Sequence, residues 1–339
     1  MKKKFLVIQL RKLGDVLLTT PVIDVLKEHY PDAEIDFLVE AAYAEVLSGN
    51  PKIKNIYTLD KKSLKNQFKT LMKIRKRRYT YTLDFFCNPR SAWWSYFSGA
   101  EYKVGFNYPG RKWLYDICIE RSQESKYNVD FKMDLLKFLD IETKHRKLSL
   151  FVPEKTTQKM EKNLSKHGYE IGDNVVGIVV PNNRDVSKIK NWRMEGYAEL
   201  IEKILHELNY KVVILWGPGE EDIANRLWRL VPHKNVFLPK ATKIKELAAL
   251  ISHCNAVVTG CVGPKHIAIA MDVPTVTIFG PTQVISWNPP DDKSPVVTAD
   301  KIDCLGCDKI YCEKMDCMRL VTVDMVFNTL KGLLNQYAN

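Results

Sequence analysis

The sequence VTGCVGPKHIAIAMDVPTVTIFGPT, residues 258–282, decides the fold, because it has the pattern of a strand, a glycine–proline turn, a short helix and a second strand. Gly260 and Gly263 let the backbone come close to a ligand, and Pro264 suits the first turn of a helix, where its missing N–H is no loss. The free N–H groups and positive dipole end of that helix favour an anion such as phosphate. An ordinary βαβ crossover has the same pattern and stays open as the alternative.

Strand and helix patterns alternate on both sides of this unit, which predicts parallel sheets covered by helices on both faces. The predicted strands are short apolar runs at residues 5–10, 35–39, 56–59, 80–86, 175–180, 212–216, 257–259 and 275–279. A chain of 339 residues suits two domains. The polar stretch 153–174 is the expected joint, and ligands of such sheets bind beyond the carboxyl ends of the strands, in the cleft between the domains.

Several classes of protein are disfavoured by what the sequence lacks. It has no apolar run of ~18 residues that would span a membrane, and its basic start is followed by a strand pattern rather than a signal peptide. We therefore expect a cytoplasmic protein with reduced cysteines. No GxGxxG follows the first strand and no GxxxxGK[ST] occurs, which disfavours a nicotinamide enzyme, a kinase or an ATPase.

The net charge of +11 is concentrated in the first half, where residues 1–150 hold 28 Lys and Arg against 18 Asp and Glu. Such asymmetry predicts an acidic partner for that half. Within residues 61–79, a stripe of Leu64, Phe68, Leu71 and Met72 is surrounded by lysines and arginines, the pattern of a basic helix at an anionic membrane surface. A surface helix docked by that stripe on its own domain fits equally well. Nucleic acid is not expected, since this helix lacks interleaved aromatic residues.

A carboxylate stands where the ligand of a parallel sheet is expected. Gly14 permits a tight turn after the first strand, and Asp15 enters the next helix near its first turn. The carboxylate then faces the predicted cleft, although a plain helix cap has the same position.

Two polar turns follow strands of the second half. The loop PNNRDVSKIKNW brings Asn182, Asn183 and Lys190 together and suits phosphate oxygens, although a surface loop has the same composition. The turn WGPGEED places Glu220 and Glu221 where either accepts a hydrogen bond from a ribose hydroxyl, or where both simply begin a helix.

Taken in order, the motifs RKLGDVLLTTPVIDVLK, DFFCNPRSAWWSYFSGAEYKVGF, KNWRMEGYAELI, LWGPGEE and TGCVGPKHIAIAMDVPTVTIFGPT resemble glycosyltransferase family 9, the ADP-heptose:lipopolysaccharide heptosyltransferases. The resemblance covers nearly the whole chain. It implies the α/β GT-B architecture, with two Rossmann-like doubly wound domains and an interdomain cleft. Residues 1–160 would bind the acceptor, residues 161–320 the nucleotide sugar, and residues 321–339 would form a helix that crosses back to the first domain.

The resemblance also implies roles for single residues. Asp15 matches the general base that removes the proton from the acceptor hydroxyl, and a single displacement would invert the anomeric centre. The residues matched to the ADP-sugar donor and its phosphates are Asn182, Asn183, Lys190, Glu220, Glu221, Gly263 and His266.

The chain departs from the family pattern just before the glycine–proline turn, where Cys261 and Val262 replace an acid and a small hydroxyl residue. Backbone N–H groups survive this change, so phosphate binding is still expected. A thiol cannot replace a carboxylate that accepts two hydrogen bonds from a sugar. Three explanations of the missing carboxylate stay open: another residue contacts the sugar, the donor sugar or acceptor differs, or the chain is a binding protein with weakened catalysis. Lys265 adds positive charge beside the turn.

The acceptor implied by the resemblance is the acidic inner core of lipopolysaccharide, and we assign Arg11, Lys12 and Arg90 to it. Peripheral contact with the inner face of the inner membrane is the matching expectation. No metal is expected in catalysis, because the family stabilises its leaving group with lysine and a helix dipole. Four cysteines near the end of the chain have the spacing C-x2-C-x4-C-x4-C: Cys304, Cys307, Cys312 and Cys317. They are interpreted as a structural metal site, as reduced thiols or as residues that form a disulfide.

Overall fold

A computed structural model describes residues 2–60, 63–181, 189–299 and 302–337 of the protein. The chain divides into two compact units, residues 1–151 and 152–339. The division falls nine residues before the end of the predicted first domain, so that the helix Glu154–Ser165 belongs to the second unit. Within the described residues, no helix has both the length and the hydrophobicity needed to cross a bilayer.

The first unit contains six parallel strands with helices between them. Its strands are β1 (Lys4–Ile8), β2 (Glu34–Glu40), β3 (Asn55–Leu59), β4 (Tyr81–Asp84), β5 (Tyr102–Phe106) and β6 (Ile117–Ile119). Its α-helices are α1 (Leu13–Leu17), α2 (Thr20–His29), α3 (Ala44–Leu47), α4 (Leu64–Arg77), α5 (Pro89–Phe97) and α6 (Asn128–Met133). Short 3-10 helices lie at Ala41–Tyr43, Lys112–Leu114 and Asp134–Leu139.

The second unit repeats this plan. Its strands are β7 (Val175–Val179), β8 (Lys211–Leu215), β9 (Val236–Phe237), β10 (Ala256–Gly260), β11 (Thr275–Ile278) and β12 (Val296–Val297). Its α-helices are α7 (Glu154–Ser165), α8 (Met194–Lys203), α9 (Glu221–Leu230), α10 (Ile244–Ile251), α11 (Gly263–Ala270), α12 (Val284–Trp287), α13 (Asp316–Arg319) and α14 (Val323–Tyr337). A π-helical turn, Ile204–Leu208, extends α8.

Both sheets have the same strand order. The first is β3-β2-β1-β4-β5-β6 and the second is β12-β11-β10-β7-β8-β9, with every pair parallel. The order reverses between β1 and β4 in the first sheet and between β7 and β10 in the second, which are the switch points where doubly wound sheets bind ligands. The central strands are continuous apolar runs, as Phe5 to Ile8 shows, because helices cover both faces of each sheet.

The helix α14 completes the core of the second unit. Val326, Phe327 and Leu330 are buried in one cluster with Val176 and Ile178 of the central strand β7. The indole N–H of Trp192 donates a hydrogen bond to the carbonyl of Val321, at 2.9 Å, which fixes the approach to this helix. The predicted helix in residues 321–339 is therefore an integral part of the second unit, and its return to the first domain stays a prediction.

Gly105 in β5 lets the Tyr115 ring pack directly against the strand backbone. A Cβ added to Gly105 would lie 2.6 Å from two ring carbons of Tyr115, whose hydroxyl donates to the buried Asp84 carboxylate at 2.7 Å. We predict that Gly105→Ala destabilises the protein by about 1–3 kcal/mol, because this ring is held at its far end and cannot move away. Urea unfolding measures the change.

The matched control for this substitution is Gly332→Ala in α14. A Cβ at Gly332 meets nothing within 4 Å, so alanine there is expected to stabilise the helix by about 0.5–1 kcal/mol. Equal stability of Gly105→Ala and the wild type would show that the Tyr115 ring can shift.

Candidate functional site

The first candidate half-site lies at the switch point between β1 and β4. Ile8 at the end of β1 pairs with Asp84 at the end of β4. Beyond this edge, Asp15 sits in the first turn of α1, and one of its carboxylate oxygens accepts the N–H of Lys12 at 3.3 Å. Asp15 is only half-buried, so its carboxylate faces solvent at the position where the sequence predicted it. This is a geometry in which a carboxylate can take a proton from a bound hydroxyl.

A buried lysine supports the loop that leads to Asp15. The ammonium of Lys132, in α6, donates to the side-chain carbonyl of Gln9 at 2.9 Å, and the amide of Gln9 donates to the carbonyl of Arg11 at 2.6 Å. Burial lowers the pKa of Lys132, while the negative charge of Asp15 acts in the opposite direction. Lys132 was not among the residues predicted from the sequence, because a lysine among the charged and apolar residues of VDFKMDLL carries no clear sign of burial.

A second acid at this switch point is structural. Asp84 is fully buried, and burial raises the pKa of its carboxyl group. Its oxygens accept hydrogen bonds from the N–H groups of Phe86 and Cys87 and from the hydroxyl of Tyr115. These bonds fix the turn between β4 and α5 beside β1.

The three cations assigned to the acceptor differ in their surroundings. Arg11 and Lys12 are exposed next to α1, and the Arg11 guanidinium lies 5.8 Å from the centre of the Phe86 ring. Arg90, at the start of α5, instead forms an ion pair with Glu40 at 3.2 Å. One of its terminal nitrogens is buried and has no hydrogen-bond partner among the described residues. Arg11 and Lys12 are thus available to an acidic ligand, whereas Arg90 is partly committed.

The second candidate half-site lies at the switch point between β7 and β10. The residue before α11 is Val262, whose extended backbone leads into the helix but whose side chain has no oxygen to cap it. Pro264 has no N–H and the N–H of Lys265 donates to the carbonyl of Val262 at 3.2 Å, so this helix start offers an anion chiefly its dipole, and the anion site stays a prediction. The carbonyl of Lys190 lies 3.6 Å from the position of a Cβ on Gly260, so the segment after β7 reaches the end of β10.

Lys265 and His266 are buried in the first turn of α11. The ammonium of Lys265 donates to the carbonyl of Trp287 at 2.8 Å and to the side chain of Asn288 at 2.7 Å. Burial lowers the pKa of Lys265 to about 7, whereas the pKa of His266 falls to about 3 through burial and the neighbouring Lys265 charge. His266 is therefore neutral at pH 7, and its Nδ1 is buried without a partner among the described residues.

The unexpected thiol of Cys261 lies in the same cationic environment. Burial raises its pKa, and the charges of Lys265 and Lys190 oppose that shift. Lys190, Cys261 and Lys265 are thus close enough to interact, which the sequence analysis had inferred only from their order in the chain. A protonated thiol offers a donor sugar much weaker hydrogen bonding than a carboxylate would.

The remaining residues assigned to the donor differ in their surroundings. One carboxylate oxygen of Glu220 accepts the N–H of Gly217 at 3.0 Å, which closes the turn before α9. Glu221 begins α9 and is exposed, so it is free to meet a ligand without disturbing that turn. Asn182 and Asn183 lie outside the described residues.

The four cysteines near the end of the second unit lie near one another in space. Cys304 and Cys307 are exposed, Cys312 is half-buried and Cys317 is buried. Burial raises the pKa of Cys317, and the charges of the other three thiols act in the same direction. In the described parts of the chain, no three His, Cys, Asp or Glu side chains are arranged to hold a metal ion.

Titration of Lys265 gives a test of the second half-site. For ADP-heptose, the donor that the family resemblance implies, we predict an affinity that falls up to tenfold per pH unit above pH 7, because a bound diphosphate would stabilise the ammonium and binding would then take up a proton. Cys261 and Asp291 also favour the charged form, and His266 stays neutral throughout this range. Titration calorimetry in two buffers of different ionisation enthalpy measures the uptake.

ADP-heptose is the suitable probe because both of its phosphates are esterified, whereas the terminal phosphate of free ADP itself titrates near pH 6. Lys265→Met should bind with no such pH dependence. A wild-type protein that takes up no proton at pH 8 would show that the bound diphosphate does not act on Lys265.

Two parallel sheets of one strand order are the architecture of the GT-B class of glycosyltransferases, and here one sheet has a carboxylate at its switch point and the other a cationic helix start. The chain belongs to glycosyltransferase family 9, the heptosyltransferase family, whose model matches residues 68–317. The family resemblance and the fold class inferred from the sequence are thereby confirmed. The chain is 29% identical over 293 residues to lipopolysaccharide heptosyltransferase 3 of Escherichia coli, covering 81% of this chain and 83% of the relative.

Solved structures share the fold over nearly the whole chain. A family 9 glycosyltransferase of Veillonella parvula matches with a TM-score of 0.84 and 21% identity, covering 98% of this chain and 97% of its own. The E. coli ADP-heptose lipopolysaccharide heptosyltransferase II matches with a TM-score of 0.81 and 20% identity over the full length of both chains. The E. coli heptosyltransferase WaaC, solved with ADP-2-deoxy-2-fluoro heptose, matches at 0.72 and 17% identity, covering 98% of this chain and 99% of its own.

Proposed function

We propose that this protein transfers heptose from ADP-heptose to a hydroxyl group of the lipopolysaccharide inner core, on 3-deoxy-octulosonate or heptose, with inversion at the anomeric carbon. The observation that carries the proposal is a pair of complementary features, each at the switch point of its own sheet: the half-buried carboxylate of Asp15 and the uncapped, lysine-flanked start of α11. The first suits proton removal and the second suits a diphosphate. The names of the related enzymes supply the sugar and the acceptor class.

In the proposed reaction, Asp15 takes the proton of the acceptor hydroxyl as its oxygen attacks the anomeric carbon. The bond between that carbon and the diphosphate oxygen breaks, and ADP leaves with the bonding electrons. Lys190 and the N–H groups of α11 stabilise the charge that develops on the diphosphate. Lys265 adds to this once the bound anion favours its protonated form. No metal ion is required, because cations of the protein itself face the leaving group.

The acceptor side of the proposal rests on charge. The first half of the chain carries the excess of basic residues, and Arg11 and Lys12 are exposed beside Asp15. The phosphates and carboxylates of a lipopolysaccharide core match that charge. We place the enzyme in the cytoplasm, in peripheral contact with the anionic inner face of the inner membrane, where such an acceptor is anchored.

One observation favours a second candidate function. Cys261 and Val262 remove the acid and the hydroxyl expected before the glycine–proline turn, and the half-buried thiol has a raised pKa. The second candidate is therefore a transferase with a different donor sugar or acceptor, or a protein that binds a nucleotide sugar with weakened catalysis. Backbone groups hold the diphosphate in either case, so the nucleotide half of the proposal is unaffected.

The direct test incubates the protein with ADP-heptose and a truncated core acceptor, and follows ADP release and the mass of the glycosylated product. Parallel reactions with other ADP-sugars and with UDP-sugars identify the donor. Calorimetry with the same compounds separates the alternatives: binding of a nucleotide sugar without turnover favours the weakened binding protein. Absence of binding to every nucleotide sugar would overturn both candidates.

A further inference from the structure

Most of the apolar stripe of α4 is not docked on its own domain, since only Leu71 packs against the core. Leu64 is 83% exposed, Phe68 63% and Met72 40%, and Leu71 is only partly buried. The helix is instead held by Ile74, which is fully buried against the core of the first sheet. Of the two interpretations that the sequence left open, docking on the parent domain holds for Leu71 only, and Leu64, Phe68 and Met72 are left as an exposed apolar surface.

Aromatic side chains continue this surface beyond α4. Trp93, Tyr96 and Phe97 on α5 and Trp113 in the adjoining 3-10 helix contact one another, with ring centres 5.3–6.2 Å apart. All four are largely exposed, Trp113 by 61%. Between α4 and this cluster lies a groove of about 330 Å³ lined by Leu71, Arg90, Trp93, Trp94 and Phe97. A single apolar surface therefore runs from the α4 stripe to Trp113.

Lysines border the other side of the stripe. At 100° per residue, Lys65, Lys69, Lys73 and Lys76 project from one side of α4, between the stripe and the edge strand β3. In the part of the chain that the structure describes, none of these four has an ion-pair partner, and residues 64–78 contain no acidic residue. By contrast, Arg77 on the inner side is paired with Glu34 and Asp36.

We propose that α4, α5 and Trp113 form a surface that binds an anionic lipid bilayer, with the aromatic rings at the boundary between headgroups and acyl chains. Tryptophan and tyrosine favour that boundary because one end of each ring system is apolar and the other polar. Lysines beside an apolar stripe bind anionic headgroups while their aliphatic stems cover apolar surface. A protein partner fits less well, since the centres of protein interfaces are depleted in lysine.

The proposed lipid contact rests on the proposed function in one respect: a membrane-anchored acceptor is what makes that contact useful. Binding through this surface would fix the orientation of the first domain on the membrane, because β1 and α5 belong to the same compact unit. The enzyme would meet its acceptor while bound to the membrane, so that search is confined to two dimensions.

The test measures co-sedimentation of the full chain with phosphatidylcholine vesicles, with and without phosphatidylglycerol. The wild type should bind the anionic vesicles and dissociate as salt rises. The triple variant Lys65→Gln, Lys69→Gln, Lys73→Gln should bind about 100-fold more weakly. A matched triple on the exposed side of α7, Lys155→Gln, Lys162→Gln, Lys166→Gln, should bind like the wild type.

The apolar part is tested by Phe68→Ser with Trp113→Ser, against Ile171→Ser as a control at an exposed site of the second unit. The double variant should lose most of its vesicle binding and its fluorescence quenching by brominated lipid. Equal losses in the α7 or Ile171 variants, or no binding by the wild type, would overturn the proposal. Transfer to a water-soluble, deacylated acceptor should be unchanged in all these variants, so loss of lipid contact and loss of enzymatic function are measured separately.

Discussion

Asp15→Asn is expected to lower the turnover number for sugar transfer by about a thousandfold or more while ADP-heptose binds with unchanged affinity. An amide cannot take the acceptor proton, and removal of a general base costs about 10²–10⁴-fold in rate. The amide oxygen can still accept the N–H of Lys12, so α1 should keep its start. Coupled measurement of ADP release gives the rate, and titration calorimetry gives the affinity.

Asp32→Asn is the matched control, because Asp32 is an exposed acid of the same domain between α2 and β2. It should leave both rate and affinity at wild-type values. Turnover within tenfold of the wild type in Asp15→Asn would remove Asp15 from the role of base and direct attention to another group at the first switch point.

Lys190→Met is expected to lower kcat/KM by about 10²–10³-fold. Its positive charge acts on Cys261 at the end of β10, and its carbonyl approaches Gly260, which places the residue beside the start of α11. Loss of one preorganised group that stabilises developing charge costs rates of this order. Because the diphosphate is also charged in the ground state, the affinity for ADP should fall as well, by about tenfold.

Lys234→Met provides the control, since Lys234 is an exposed lysine of the second domain in the loop before β9. Steady-state kinetics on both variants, with acceptor saturating, separates the effects on kcat and KM. An unchanged kcat in Lys190→Met with only a raised KM would assign Lys190 to donor binding rather than to stabilisation of the transition state.

The strands predicted from the sequence are all present in the structure, and the strands that were missed are β5, β6, β9 and β12. β6 has three residues and β9 and β12 have two each, too few to show any periodicity. β5 begins with the exposed Tyr102 and a lysine, so its first residues lack the apolar pattern of a buried strand. β6, β9 and β12 are also edge strands, which bury less surface than central strands, so their sequences carry less signal.

Some features of the candidate site depend on short segments of sequence, and others depend on contacts between residues far apart in the chain. The position of Asp15 and the uncapped start of α11 depend on short stretches of chain, and the sequence predicted them. The support from Lys132 depends on Gln9, 123 residues away, which no local pattern encodes. For α4, the pattern indicated an amphipathic helix correctly, but not that Ile74 is its buried anchor while Leu64, Phe68 and Met72 of the stripe stay exposed.

The burial of α14 in the second core has a consequence for biosynthesis. The first domain needs only residues 1–151, so it can fold on the ribosome while the second is still being translated. The second domain cannot complete its core until Leu330, Leu333 and Leu334 have left the exit tunnel. During that interval its central sheet exposes apolar surface that α14 later covers, and such transient exposure favours aggregation.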